Sequence, residues 1–155
     1  MKITFLSDGR LMIDGAKITW RNFAGKGSDF NREGDRNFAV IIDNQDDADR
    51  LAAAGWKIKV KPPREDGDDP FIVMPVKVKF NDRGPNAYLV CGTNKIPLNE
   101  DTIHRLDRVD ILSVDMDIRP YDWEHPRFGT GRTAYLDAIQ VFQKVDRFAS
   151  DYSEY

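Results

Sequence analysis

Aromatic rings and cationic side chains occur together in two segments that also carry glycine, 20–38 and 119–132. A flat ring can stack on an unpaired base, and an ammonium or guanidinium group can neutralise a phosphate. In the interior of the first segment, between Trp20 and Phe38, the residues of these types are Arg21, Phe23, Lys26, Phe30, Arg32 and Arg36. In the second, they are Arg119, Tyr121, Trp123, Arg127, Phe128 and Arg132. Both segments therefore predict contacts with a single-stranded nucleic acid. An ordinary hairpin with a solvated loop would have a similar composition.

The ends of the first segment suggest a different role. Trp20 and Phe38 are in phase with the apolar residues of the flanking strands, so both are predicted to belong to the core. The binding prediction then rests on the interior of the segment, with Phe30 and Arg32 at its centre.

A lysine stripe forms a third cationic feature. Lys59 and Lys61 lie on one side of a predicted strand, because alternate residues of a strand share a face. Such a stripe can follow a phosphate backbone, or it can keep an edge strand soluble. The sequence supports both interpretations equally, and both lysines are included among the predicted DNA contacts.

Catalytic chemistry is the weaker alternative. His104 is predicted on a helix surface and His125 in a loop, and neither has a partner at metal-ligand spacing. Asp115 and Asp117 share a strand face, which leaves a magnesium-dependent nuclease as an alternative to a solvated face. The sequence contains no phosphate-binding glycine loop and no nucleophile-elbow context. We therefore predict a protein that is not an enzyme and has no metal or cofactor.

Composition and charge limit the remaining classes of protein. The 155 residues suit one domain, and the single cysteine, Cys91, excludes a disulfide framework. No signal peptide or membrane-spanning run is found, so a cytoplasmic protein without membrane association is predicted. The net charge is −3, which counts against a uniformly basic nucleic-acid binder. A locally basic groove on an acidic protein remains possible, because the distribution of charge matters more than its sum.

Alternating apolar residues predict a mainly β domain at 1–147. Asn44 and Gly55 are suited to cap a helix at 45–54, and Asn99 begins a second short helix through about Leu106. The alternation at 112–119 places Tyr121 and Trp123 beside Arg119 if it continues through Pro120. Strands with extended hairpins and one or two short helices predict an OB-fold-like five-stranded barrel.

Several stretches also resemble a known family. They are 25–38, which ends in FNREGDRNF, GW at 55–56, the segment 59–64, and RPYDW at 119–123. These stretches resemble small single-stranded DNA-binding proteins encoded by bacteriophages, over roughly residues 16–145. The resemblance implies an OB-like fold and sequence-tolerant binding of single strands in phage DNA replication or recombination, in the host cytoplasm.

The tail at 148–155 is acidic and aromatic. It is similar in kind to the tails with which bacterial single-strand binders dock partner proteins. This similarity implies replication or recombination proteins as partners, although a frayed polar terminus explains the tail equally well. Homo-oligomerisation stays open. A β-rich protein-interaction or assembly module without nucleic-acid binding is the alternative function.

Overall fold

A computed structural model describes residues 1–62, 67 and 71–145. Among these residues there are two helical elements, α1 at Gln45–Ala53 and a 3-10 helix at Ile103–Asp107. The strands are β1 Lys2–Phe5, β2 Leu11–Ala16, β3 Ile18–Asn22, β4 Arg36–Ile41, β5 Lys59–Lys61, β6 Phe71–Val78, β7 Asn86–Cys91, β8 Asn94–Leu98, β9 Ile111–His125 and β10 Gly129–Gln143. The predicted mainly β class is confirmed. The predicted tail at 148–155 lies outside the described residues.

The described strands form one mixed sheet of ten strands, with the order β1-β2-β9-β10-β6-β4-β3 along its main path. Strand β10 connects its parts. It pairs antiparallel with β9, parallel with β6 at Ala134–Tyr135, and parallel with β7 over residues 138–142. The register shifts between Leu136 and Ala138, where β10 changes partner from β6 to β7.

A closed five-stranded barrel is not seen among these strands. Local alternation predicts where strands occur, but it carries no information about which distant strands pair. The parallel pairings of β10 with β6 and β7 join segments far apart in the chain, and they give the sheet its mixed, branched form.

The core lies against one face of the sheet. Phe38, Val76 and Ala134 are cross-strand neighbours on β4, β6 and β10, and all three are buried. The predicted helix is confirmed as α1, whose first turn is capped by Asn44: its Oδ1 accepts the Asp47 N–H at 2.8 Å. Leu51 of α1 packs into the core. Among the described residues, none of the helices has the length and apolar character needed to cross a bilayer.

Candidate nucleic-acid interface

Polar side chains form a row straight across four neighbouring strands on the side away from the core. Arg119 of β9 pairs with Tyr135 of β10, and Tyr135 pairs with Lys77 of β6. Lys77 pairs in turn with Asn37 of β4. Directly paired residues share a face of a sheet, so the four side chains lie side by side. We call this side of the sheet the outer face.

Arg119 is held in place within this row. Its guanidinium carbon lies 4.9 Å from the centre of the Tyr135 ring, and its Nε lies 3.9 Å from Asp137 Oδ1. A cation over a ring face is attracted by the quadrupole of the ring. The side chain nevertheless stays 36 % exposed, so the charge remains open to a phosphate.

A groove of about 590 Å³, which we call the central groove, lies over the row. Its aromatic and cationic lining residues are Phe30, Arg32, Arg36, Lys77, Lys79, Phe80 and Tyr135. Lys79 also lines a second groove of about 350 Å³, together with Arg83 and Arg119. The two grooves therefore adjoin. Lys77 and Lys79 were not among the predicted DNA contacts, although they alternate with apolar residues as Lys59 and Lys61 do.

The loop at 24–35 is ordered by its own hydrogen bonds. The Asn31 amide nitrogen donates to the carbonyls of Lys26 at 2.9 Å and Asp35 at 3.0 Å. At the base of the loop, the Gly34 N–H donates to the Gly25 carbonyl at 2.8 Å, and a side-chain carbon on Gly25 would come within 3.1 Å of Gly34. This framework holds Phe30 fully exposed at 100 %. The predicted centre of the segment is thus presented to solvent by a preformed loop.

The structure contradicts the prediction that Phe23 contacts DNA. Its ring is 0 % exposed and stacks on Phe38, with ring centres 5.1 Å apart. The Phe23 N–H donates to Asp107 Oδ1 at 2.8 Å, which ties the start of the loop to the 3-10 helix. Phe23 is therefore part of the core and cannot stack on a base, whereas Phe38 is buried as predicted.

Two of the predicted arginines donate hydrogen bonds to backbone carbonyls of the protein. Arg21 Nη1 donates to the carbonyls of Leu106 at 2.8 Å and Val109 at 2.7 Å. Arg36 Nε donates to the Phe23 carbonyl at 2.9 Å. These bonds satisfy carbonyls at the end of the 3-10 helix and in the loop, so both guanidinium groups have a clear role within the protein.

Arg132 also bonds within the protein. Its Nε donates to Asp122 Oδ1 at 2.6 Å, and its Nη1 donates to the Ala54 carbonyl at 2.9 Å. The hydrogen bond and the charge of Arg132 lower the pKa of Asp122. The guanidinium carbon lies 5.2 Å from the centre of the Trp56 ring. Arg132 therefore joins the β9–β10 hairpin to the end of α1.

The hairpin carries Tyr121 and Trp123 on the outer face, as the alternation through Pro120 predicts. Tyr121 is 54 % exposed, and its ring meets Tyr135 edge-on at 6.0 Å. The Trp123 ring lies next to Gly131, where any side chain would overlap the indole. Its Nε1 donates to Thr133 Oγ1 at 3.2 Å. These contacts hold the Trp123 ring along the hairpin with part of its surface open.

The tip of the hairpin carries Arg127 and Phe128, both exposed. His125 Nδ1 accepts the N–H groups of Arg127 at 3.0 Å and Phe128 at 3.3 Å. The His125 and Phe128 ring centres lie 4.7 Å apart. His125 therefore organises its own turn and fixes the position of Phe128, which is 72 % exposed.

The lysine stripe lies on the outer face as well. Lys59 pairs with Val73, and Lys61 pairs with Phe71. Both partners are an even number of residues from Lys77 on β6, so they share its face. Lys59, Lys61 and Lys77 are all exposed, and they extend the cationic surface beyond the central groove.

The structure also contradicts the prediction that Trp20 belongs to the core. Trp20 is 48 % exposed, although its phase in the sequence predicts burial. The β3–β4 pairing is irregular between Thr19 and Asn22, and Trp20 has a φ of 51°. The ring meets Phe71 edge-on at 6.0 Å, which places it on the outer face. The sequence could not reveal this, because phase arguments assume a regular strand.

Trp20 also lines a groove of about 620 Å³ with Asn37, Lys26 and His104. His104 is exposed, as predicted. Asn37 lines the central groove too, so the two grooves adjoin. The three grooves therefore follow one another across the sheet, from β9 to β3.

Asp115 and Asp117 of β9 each interact with neighbouring groups of the protein. Asp115 Oδ1 accepts the Gly15 N–H at 2.9 Å, which links β9 to β2. Burial raises the pKa of Asp117, Arg10 opposes this shift, and Asp137 adds to it. Within the described parts of the chain, no three His, Cys, Asp or Glu side chains are grouped as metal ligands would be.

Residues 3–155 match the family model described as "Putative phage ssDNA-binding domain". A search of curated protein sequences gave no match. Among solved structures, the fold is similar to the single-stranded DNA-binding protein from bacteriophage Enc34, with a TM-score of 0.58 and 11 % identity, covering 98 % of this chain and 92 % of that one.

Two further structures of the Enc34 protein are also similar. Its complex with ssDNA gives a TM-score of 0.57 at 12 % identity, covering 95 % of this chain and 93 % of that one. Its C-terminal truncation gives 0.56 at 12 % identity, covering 93 % and 91 %. At such identities the likeness concerns the fold alone.

Proposed function

Because this chain belongs to the family of phage single-stranded DNA-binding domains, we propose that its outer face, with the loop at 24–35 and the β9–β10 hairpin, holds single-stranded DNA without reading its sequence. The family resemblance predicted from the sequence is confirmed. The observation that carries the proposed location is the row of Arg119, Tyr135 and Lys77 beneath the groove bounded by Phe30.

The proposed roles follow from exposure and bonding. Four exposed rings stack on bases: Phe30, Tyr121, Trp123 and Phe128. The exposed or half-exposed cations contact phosphates: Lys26, Arg32, Lys59, Lys61, Lys77, Lys79, Arg119 and Arg127. Arg21, Arg36 and Arg132 position the loop and the hairpin through their bonds within the protein.

The sequence tolerance has a physical basis. Every base has a ring face, so stacking on an aromatic side chain discriminates little between bases. Phosphate contacts carry no base information either. We further propose that the protein acts without catalysis in phage DNA replication or recombination, in the host cytoplasm. The long, bulged strands β9 and β10 support an elaborated OB-type sheet, and partner docking by the tail and homo-oligomerisation remain proposals.

Fluorescence anisotropy with labelled oligo-dT at two salt concentrations tests the proposal. Stacking contributes about 1–3 kcal/mol per base, so the double variant Tyr121→Ala with Trp123→Ala should bind at least about 5-fold more weakly. Tyr88→Ala, which removes an aromatic ring from β7, is the control and should bind as the wild type does. If the wild type has no affinity for oligo-dT at low salt, the proposal is wrong.

A further inference from the structure

Trp20 has a backbone conformation that its side chain does not favour. Among the described residues, it is the only one other than glycine with a positive φ, at 51°. Bulky residues rarely occupy this region, and such outliers persist where the surrounding structure enforces them, often at functional sites. Here the irregular β3–β4 pairing turns a large apolar ring from the core side to solvent.

The exposed indole ring is held by two neighbours. Phe71 of β6 meets it edge-on, with ring centres 6.0 Å apart. The Lys61 ammonium lies 5.8 Å from the centre of the Trp20 ring. The flat ring, held in place with a cation over it, combines the two groups that bind an unpaired base and its adjacent phosphate.

This position is continuous with the central groove. Phe71 and Lys77 lie on the same face of β6, because an even number of residues separates them. Asn37 lines both the central groove and the groove beside Trp20. From β9 to β3 the path crosses four inter-strand spacings, about 19 Å.

We propose that Trp20 is a further base-stacking platform, with Lys61 as its phosphate partner, at the far end of a track that crosses the outer face from the β9–β10 hairpin to β3. This inference rests on the proposed function and extends it, because it sets the direction and length of the bound strand. A strand long enough to reach both ends contacts Trp123 and Trp20 together, whereas a short strand needs only one end.

The test compares two substitutions with oligo-dT of two lengths. Trp20→Asn removes the ring and places a residue that tolerates a positive φ. Trp20→Phe keeps a stacking ring and serves as the matched control. Anisotropy is measured with oligonucleotides of about 4 and about 16 nucleotides, the limits of site size for one OB-type domain. Thermal unfolding of each variant is recorded in parallel.

Trp20→Asn should weaken binding of the long oligonucleotide by about 5- to 150-fold, while the short one binds almost as before. Its unfolding temperature should not fall, and Trp20→Phe should retain most of the affinity. Equal binding of the long oligonucleotide by Trp20→Asn and the wild type would overturn the inference. So would a loss of affinity at both lengths accompanied by a lower unfolding temperature, since Trp20 would then be structural.

The two proposals can fail separately. If Trp20→Asn binds normally while the Tyr121→Ala, Trp123→Ala double variant loses affinity, the central site stands and the extended track does not. If the wild type binds neither oligonucleotide, both proposals fall.

Discussion

Phe23 and Phe30 lie in the same segment of the chain but have opposite surroundings, 0 % and 100 % exposed. Removal of a buried phenylalanine side chain leaves a cavity and costs about 3–5 kcal/mol of stability. Phe23→Ala should therefore lower the free energy of unfolding by about that amount. Phe30→Ala should leave it within about 0.5 kcal/mol and weaken oligo-dT binding about 5-fold or more.

Urea unfolding and anisotropy separate these two effects. Each variant is the control for the other, because both remove a phenylalanine ring. A Phe30→Ala variant that binds oligo-dT with wild-type affinity would remove Phe30 from the interface.

The Asp117 carboxyl should make the stability of the protein depend on pH. Burial raises its pKa above the usual value, with Asp137 adding to the effect and Arg10 opposing it. A raised carboxyl pKa means that the folded state favours the protonated form, so stability falls as pH rises from the unfolded pKa through the folded one. Asp117→Asn avoids the buried charge and should be more stable than the wild type at neutral pH.

The stabilisation by Asp117→Asn should vanish at about pH 3, where the carboxyl is protonated in both states. Urea unfolding at neutral and acidic pH measures this difference, with the exposed Asp101→Asn as control. A stabilisation that persists unchanged in acid would show that the ionisation of Asp117 is not its cause.

At the scale of elements, the β9–β10 hairpin is a preformed platform. The Trp123 ring lies next to Gly131, and its Nε1 is bonded to Thr133. Gly131→Ala places a carbon where the ring lies, so the indole must move away. We expect weaker oligo-dT binding, close to that of Trp123→Ala, with the unfolding temperature little changed because the site is at the surface.

Thr130→Ala, on the same strand, is the matched control for Gly131→Ala and should bind normally. Anisotropy reports the affinity, and the emission of the indole reports its displacement. Normal affinity for Gly131→Ala would mean that the seating of Trp123 on the hairpin is not needed for binding.

At the scale of the whole molecule, an acidic protein presents a locally cationic face. The net charge is −3, yet Lys59, Lys61, Lys77 and Arg119 share the outer face. Binding to single strands should weaken with salt, with a slope of about −0.7 for each phosphate neutralised in a plot of log affinity against log salt concentration. We therefore expect the distribution of charge, rather than its sum, to govern binding.

Lys77→Gln should reduce the steepness of the salt dependence by about 0.7, because one phosphate contact is lost. Lys95→Gln, on the β7–β8 hairpin away from the grooves, should leave it unchanged. Anisotropy titrations over a series of salt concentrations measure both slopes. Identical slopes for Lys77→Gln and the wild type would place the DNA elsewhere.

The family and several local elements could be predicted from the sequence. The caps predicted α1, and the alternation at 112–119, if continued through Pro120, placed Tyr121 and Trp123 beside Arg119, because these features depend on neighbours along the chain. The FNREGDRNF stretch pointed to the phage single-stranded DNA-binding family, which the family model confirms. Single-stranded DNA as the ligand, predicted from the rings and cations, agrees with the family.

The tertiary structure set which of those side chains are exposed. It buried Phe23, exposed Trp20, and set Lys77 between Tyr135 and Asn37 on strands that are far apart in sequence. A strand irregularity reverses the face of a side chain, and sheet pairing depends on contacts that no local pattern encodes. For these two reasons the kind of ligand could be predicted from the sequence, while the surface proposed to hold it could not.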